Sequence, residues 1–369
     1  MKQVATGLAI GHVLDPALAA DAVNKAMQQL EITTANAVIL FLTSEFASDP
    51  LPAIRAAAKA ASCTQVIGCS APGIFTQEDW VLDAPAVAAM VFSRNISLQP
   101  LANTNNEANT FILALTAPNA INANWITAPG QRYGGVSGDV IGQGPFSVWQ
   151  NAKGVAEGHT QTLINGVKVE VGTSHGLHIL SDPQLINQTN GHDLIQLVDQ
   201  PALAVLQGVY QQYTKQSEET LPLHLLMAVT ADTVAEIEAG HYQLSTIVSG
   251  NEEDASVTLA KMPQTGQYLS WGLREVEAAQ ADLKLTAENL VSDLNAEPDF
   301  GMLFSCLGRG PYFYDGIDRD LAVLKQRFPD MPLIGFYGNG EIAPINGVNE
   351  LLQYSAVLAL FASTQEEVR

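Results

Sequence analysis

Basic residues are scarce in this chain. Seventeen lysines and arginines stand against 38 aspartates and glutamates in 369 residues, a formal net charge of -21. Phosphate backbones and anionic lipid surfaces are held by clustered lysine and arginine, so neither a nucleic-acid nor a membrane-surface partner is expected. The acidity itself reads as a solvated surface. Cysteine is nearly as rare: Cys63, Cys69 and Cys306 form an odd set without CxxC spacing, which predicts no disulfide framework and a reducing cytoplasm. Long apolar runs are also missing. The longest, such as residues 35–42, fall far short of the roughly 20 residues a helix needs to cross a bilayer. The amino-terminal run is interrupted by His12 and Asp15 and is too poor for a secretory signal. With 47% hydrophobic and 15% charged residues, the expectation is a soluble, cytoplasmic globular protein of two domains or one large one.

What is present concentrates between Gly301 and Pro344, GMLFSCLGRGPYFYDGIDRDLAVLKQRFPDMPLIGFYGNGEIAP. Met302–Phe304 is an apolar run opening at Ser305, Cys306 and the Gly308-Arg309-Gly310 turn, which predicts a buried strand ending in a loop. Ile317, Leu321, Leu324 and Phe328 recur at helical spacing with charges between them, predicting an amphipathic helix ended by Pro329 and Pro332. Leu333–Tyr337 is a second apolar run that breaks into Gly338-Asn339-Gly340-Glu341. Strand, helix and strand bring both glycine-rich tips to one end of a parallel sheet, where ligands bind in open α/β folds.

The first quarter of the chain has the same pattern. VILFLTS at residues 38–44 matches GMLFSC, VIGCSAPGIF at 66–75 matches LIGFYGNGEI at 333–342, and VAAMVF at 87–92 matches AVLALF at 356–361. Gly68 falls on Gly335 and Gly73 on Gly340. The fold expected is α/β, two related β-α-β-β units (residues 36–93 and 299–361) forming packed mixed sheets with helices outside. Between them, residues 95–125 read as connecting helix and loop, and residues 131–150, rich in glycine, as a tight loop. Asn165-Gly166, between two strand-like runs, predicts a two-residue hairpin. Residues 272–294 predict a long helix, and the polar stretch Lys215–Thr220 suggests a soft boundary near residue 220.

Several chemistries can be weighed. Cys306 beside Arg309 has a cation that favours a thiolate, but no histidine lies near in sequence, so catalysis is not the expectation. Cys69 reads as a small buried hydrophobe. His175 and His178 lack the carboxylate company a metal site would need, and no cofactor is expected because Pro344 stands where a dinucleotide fingerprint requires a helix. Arg309 and Glu341 stand on glycine-flanked turns with Tyr337 and Asn339 beside them. An arginine fork binds a carboxylate and a glutamate an ammonium, so the pair either forms a salt bridge between the two loops or holds a zwitterion. Arg309, Tyr337, Asn339, Glu341 and Cys306 are therefore the candidate ligand-binding residues.

FSCLGRG and IGFYGNGEIAP resemble the signature of the FIST family, the F-box and intracellular signal transduction proteins. FLTSEF, VIGCSAPG, YGGVSGD at 133–139 and DQPALAVLQGVY at 199–210 resemble the family's amino-terminal part. The resemblance implies a FIST N-like domain over 1–220, a FIST C-like domain over 221–369, and a non-catalytic sensory module proposed to bind small ligands such as amino acids. It leaves two alternatives open, a thiol-dependent enzyme using Cys306 and a protein-interaction scaffold. The chain contains no kinase, cyclase or F-box segment, so output is expected through a signalling partner or a change of oligomer.

Overall fold

The computed structural model describes residues 2–101, 108–155, 157–215, 220–240 and 242–364. They divide into two compact units, Met1–His175 with Leu283–Arg369, and Gly176–Asp282.

The first unit is one pattern written three times. The first run is β1 (Val4–Ile10), α1 (Ala17–Leu30), β2 (Ala37–Thr43), α2 (Leu51–Ala61), β3 (Val66–Ala71), a hairpin of β4 (Gly73–Thr76) and β5 (Trp80–Val81), and β6 (Ala86–Phe92). The second is β7 (Ser97–Pro100), β8 (Phe111–Thr116), the short α3 (Ala123–Ile126), β9 (Gln131–Val136), a hairpin of β10 (Val148–Gln150) and β11 (Lys153–Gly154), and β12 (His159–Asn165). The third opens with β13 (Val167–Ser174) and is then interrupted by the whole second unit.

That second unit contains β14 (Leu177–Ile179), β15 (Gln184–Asn190), β16 (Asp193–Leu197), β17 (Gln200–Pro201), α4 (Ala202–Thr214), β18 (Leu226–Ala231), α5 (Val234–Glu238), β19 (Gln243–Asn251), β20 (Ser256–Leu259) and β21 (Tyr268–Arg274). Hydrogen bonds run β21-β15-β16-β20-β19-β18 and back to β21, antiparallel at every step, so the strands close a ring and bury their own edges. Trp271, Leu194, Val257 and Leu269 fill it together with Leu203 and Leu206 of α4.

The third run then resumes within α6 (Val276–Leu294), which belongs to the first unit from Leu283 onward, and continues with β22 (Phe300–Cys306), α7 (Arg319–Arg327), β23 (Leu333–Gly338), the hairpin β24 (Glu341–Ile345) and β25 (Val348–Leu352), and β26 (Ala356–Ser363). The three sheets have matching orders, β1-β6-β2-β3-β10-β11, β7-β12-β8-β9-β24-β25 and β13-β26-β22-β23-β4-β5. In each, only the third and fourth strands run parallel. Each hairpin leaves its own run to complete another's sheet, β4–β5 the third, β24–β25 the second and β10–β11 the first. The exchange is cyclic, so no run has a complete sheet alone.

Strand sequence explains the layering. Central strands buried on both faces read as unbroken apolar runs such as AVILFLT in β2. Alternate residues then divide between cores: Ile39, Phe41, Met302 and Phe304 face the common interior, while Leu40 packs under α1 and α2, and Leu303 under α6 and α7. Where the parallel strands touch, each fourth strand needs a glycine. A Cβ on Gly68, Gly134 or Gly335 would stand 1.7, 1.9 or 2.0 Å from the carbonyl oxygen of Leu40, Ala114 or Leu303.

The strand order expected to occur twice is found a third time, in the region read as connection and loop. Residues 131–136 are a strand whose glycines serve that close approach, and only 137–147 form a loop. Asn165-Gly166 does turn the chain, with Gly166 at φ 86°, but β12 and β13 join different sheets, so there is no hairpin. Strand β21 extends through Arg274, so the long helix begins at Val276 and not at 272. The boundary placed near residue 220 falls inside the second unit, because the ring of strands continues on both sides of it; residues 216–219 lie outside the described residues.

Candidate functional site

The carboxyl ends of the three fourth strands meet. Ser137 Oγ donates to Ser70 O at 2.6 Å, Asn339 N to Val136 O at 3.0 Å and Val136 N to Gly340 O at 2.8 Å. Parallel strands thus converge on one point, the position at which α/β sheets present loops to ligands. Beside it, β22 ends in the Leu307–Arg309 turn.

Arg309 is fully committed there. Its Nε and Nη2 donate to the two oxygens of Asp320 at 2.8 and 3.2 Å, and its Nη1 and Nη2 to the carbonyl and hydroxyl of Ser174 at 2.7 and 2.8 Å. Both charges are 1% exposed, so the bidentate geometry compensates two desolvated ions. Tyr314 donates to Asp320 at 2.7 Å. Tyr337 donates to Asp318, which also caps α7 by accepting from Leu321 N at 2.8 Å. Burial, reinforced by the Asp320 charge, pushes the Asp318 carboxyl up to about 6, against the hydrogen bonds from Leu321 and Tyr337. Burial and the facing Asp318 also hold the Tyr337 phenol well above its ordinary range.

Glu341 is the outlier. It is the first residue of β24, wholly buried, and neither carboxylate oxygen has a hydrogen-bond partner among the described residues. Burial raises its pKa well above the ordinary carboxylate range; the Ser355 amide and the Arg309 charge only partly oppose this, neither in bonding geometry. Register shows how unusual the position is. Where β10 joins β3, Val148 faces Cys69, and where β4 joins β23, Ile74 faces Phe336; where β24 joins β9, Glu341 faces Gly135. Val148 and Ile74 belong to the common apolar interior.

Of the candidates, Arg309 pairs with Asp320 and not with Glu341, Tyr337 pairs with Asp318, Asn339 packs over Gly138 at the strand convergence, and Cys306 ends β22, 8% exposed. Cys306 N donates to Ser355 O at 3.0 Å, and His175 Nδ1 lies 3.0 Å from Ser355 Oγ. Ser355 Oγ gives its proton to Gln353 O at 3.2 Å, so it accepts from a protonated His175 Nδ1. His175 ends the first unit, whereas His178 lies in the second, 3.8 Å from Glu275. Cys69 is buried and its thiol pKa raised, which suits packing. The sequence reading missed Asp318 and Asp320. An aspartate at the start of an amphipathic helix is a capping signal, and that signal was available. Ser174 and Ser355 carry none, because only the sheet brings them near.

Residues 207–344 match the family model described as the FIST C domain. This chain carries a FIST C domain. The FIST C match runs from α4 to β24 and contains Cys306, Arg309, Tyr337, Asn339 and Glu341. A FIST C domain suggests a signal-transduction sensory domain. An uncharacterized protein of Mycobacterium tuberculosis is 24% identical over 93% of this chain and 95% of its own length. An uncharacterized protein of Mycobacterium bovis is 23% identical over 63% of this chain and 61% of its own. No helix among the described residues is long and apolar enough to cross a membrane.

Proposed function

We propose that this protein is a non-catalytic, cytoplasmic sensory module for a small ligand bearing an amine, with amino acids among its candidates, and that it signals through a partner protein. Glu341 carries the reading. A buried carboxyl without a partner costs several kcal/mol, and its two sister positions show that the fold accepts Val or Ile there. A ligand ammonium would offset that cost by restoring the ionised form. Arg309 cannot hold a ligand carboxylate without releasing Asp320 or Ser174, so the amine, not the carboxylate, is the recognised group. The amino-terminal runs, resembling FIST N, supply β9 on the other side of Glu341.

Calorimetric titration of amino acids and simple amines into wild type and Glu341→Gln tests this. Loss of the buried charge should weaken binding by about 2 to 5 kcal/mol. Equal affinity in both proteins rejects the assignment. Binding should also release the Glu341 proton, so the measured enthalpy should vary with the ionisation enthalpy of the buffer.

One observation favours a second reading, a thiol-dependent enzyme. Ser355 joins Cys306 through its carbonyl and His175 through its hydroxyl, bringing a histidine within two strands of the thiol. Turnover of a thioester that disappears in Cys306→Ser, with the fold intact, would establish it.

A further inference from the structure

Apart from the inserted second unit, the three runs differ at the link from the fourth strand to its exchanged hairpin. Between β3 and β4 the link is Pro72 alone, and between β23 and β24 it is Asn339-Gly340; between β9 and β10 it is eleven residues, 137–147. This long link leaves the very strand that pairs with Glu341, since Gly135 faces Glu341 and Gly138 lies against Asn339, where an added Cβ would meet Asn339 Cγ at 2.5 Å. Two departures from the repeated pattern, an acidic residue and a long loop, therefore coincide at one seam.

The loop has the construction of a flap. Its base is pinned at Ser147, whose amide donates to Ser70 Oγ at 3.1 Å and whose hydroxyl donates to Ala47 O at 2.7 Å. Its body is tied to itself: the Asp139 carboxylate accepts from the amides of Gly142, Gln143 at 3.1 Å and Gly144 at 2.7 Å. Its tip presents Val140 and Ile141, 67% and 72% exposed, adjacent β-branched side chains turned to water. A self-braced loop with an apolar tip can swing as a piece, and closure over the seam would bury that tip against whatever occupies it.

We infer that residues 138–146 are the lid of the Glu341 site, and that its ligand is a primary amine carrying an apolar substituent. The inference rests on the amine reading above. Glu341 holds the ammonium, and Val140 with Ile141 covers the hydrocarbon part. Each methylene moved from water to apolar contact should strengthen binding about fourfold.

Linear primary amines from ethylamine to hexylamine, titrated calorimetrically into wild type, the double variant Val140→Ser/Ile141→Ser and Glu341→Gln, test it. In wild type the affinity should climb about fourfold per methylene. The lid variant should lose the climb from ethylamine to hexylamine, while Glu341→Gln should bind all of the amines weakly. Exposed positions tolerate serine, so the double variant should fold, and amide exchange across 138–146 should slow when hexylamine binds to wild type. A flat series in wild type, or the same climb in the lid variant, overturns the lid and leaves the Glu341 reading standing. No amine binding in wild type, or equal binding in Glu341→Gln, overturns both.

Discussion

Two seams of the first unit are closed by apolar pairs, Val148 on Cys69 and Ile74 on Phe336, while the third sets Glu341 on Gly135. Backbone topology is the same at all three, so the comparison separates what the fold requires from what this seam adds. The fold requires a glycine in each fourth strand and an exchanged hairpin. It does not require a carboxyl. A glutamate at a position that elsewhere holds valine and isoleucine lowers stability, and nothing in the shared topology calls for it.

The shared requirement gives the largest expected effect. Gly335→Ala places a Cβ 2.0 Å from the Leu303 carbonyl, a backbone atom that cannot turn aside, and Gly68→Ala and Gly134→Ala do the same in their sheets. Each should cost about 4 kcal/mol or more, or prevent folding, as read by urea denaturation. A glycine that tolerates alanine with less than about 1 kcal/mol lost would break the equivalence of the three runs.

Exchanging the seams' side chains comes next. Val148→Glu buries an unpaired carboxyl and should destabilise by about 3 to 5 kcal/mol. Glu341→Val removes one and should stabilise by about 1 to 4 kcal/mol while abolishing amine binding. Destabilisation by Glu341→Val would mean that Glu341 has a structural partner, and the contrast between seams would lose its functional meaning.

Asp318 sharpens the comparison through pH. Its folded pKa of about 6 stands above an unfolded value of about 3.9. A raised carboxyl contributes stability that is fully present below about pH 4 and is lost as pH rises through 6, a difference of at most about 3 kcal/mol. Asp318→Asn keeps the cap on Leu321 and removes the titration, so the gap between variant and wild type should widen in the variant's favour from pH 4 to pH 7. Parallel stability curves would reject the assignment.

Much of the fold was legible because it is local. The apolar runs of β2, β3, β22 and β23, the helices between them and the glycines Gly68 and Gly335 all announce themselves within ten residues or so. The second run was not, because Arg132-Tyr133-Gly134-Gly135 has the composition of a loop while its glycines serve a close strand contact. Hairpin exchange could not be read either, since Gly73–Thr76 carries no local mark of whether it pairs with its own sheet or with β23. At the site, Arg309 and Glu341 were recognisable as unusual, but the partner of Arg309 was misjudged. Asp320 lies in the first turn of α7, where it could equally have been a solvated helix-end charge, and only the fold back of Pro311–Asp318 brings it onto the guanidinium.

The smallest effect is expected at Cys306, where the three runs can be compared directly. Strand register sets Cys306 at the place of Thr43 in the first run, and Ala117 follows the last registered pair of the second, so this strand end accepts a hydroxyl, a thiol or a methyl. The Thr43 hydroxyl even accepts a hydrogen bond there, from Ala86 N at 3.0 Å. The Cys306 amide is bonded to Ser355 O through the backbone, which serine would leave untouched. Cys306→Ser should therefore change stability by less than about 1 kcal/mol and leave amine affinity within about twofold. If instead the fold and amine affinity persist but hydrolysis of a thioester substrate is lost, the thiol is a nucleophile, His175 becomes its base, and the third run is specialised for catalysis where the first and second are not.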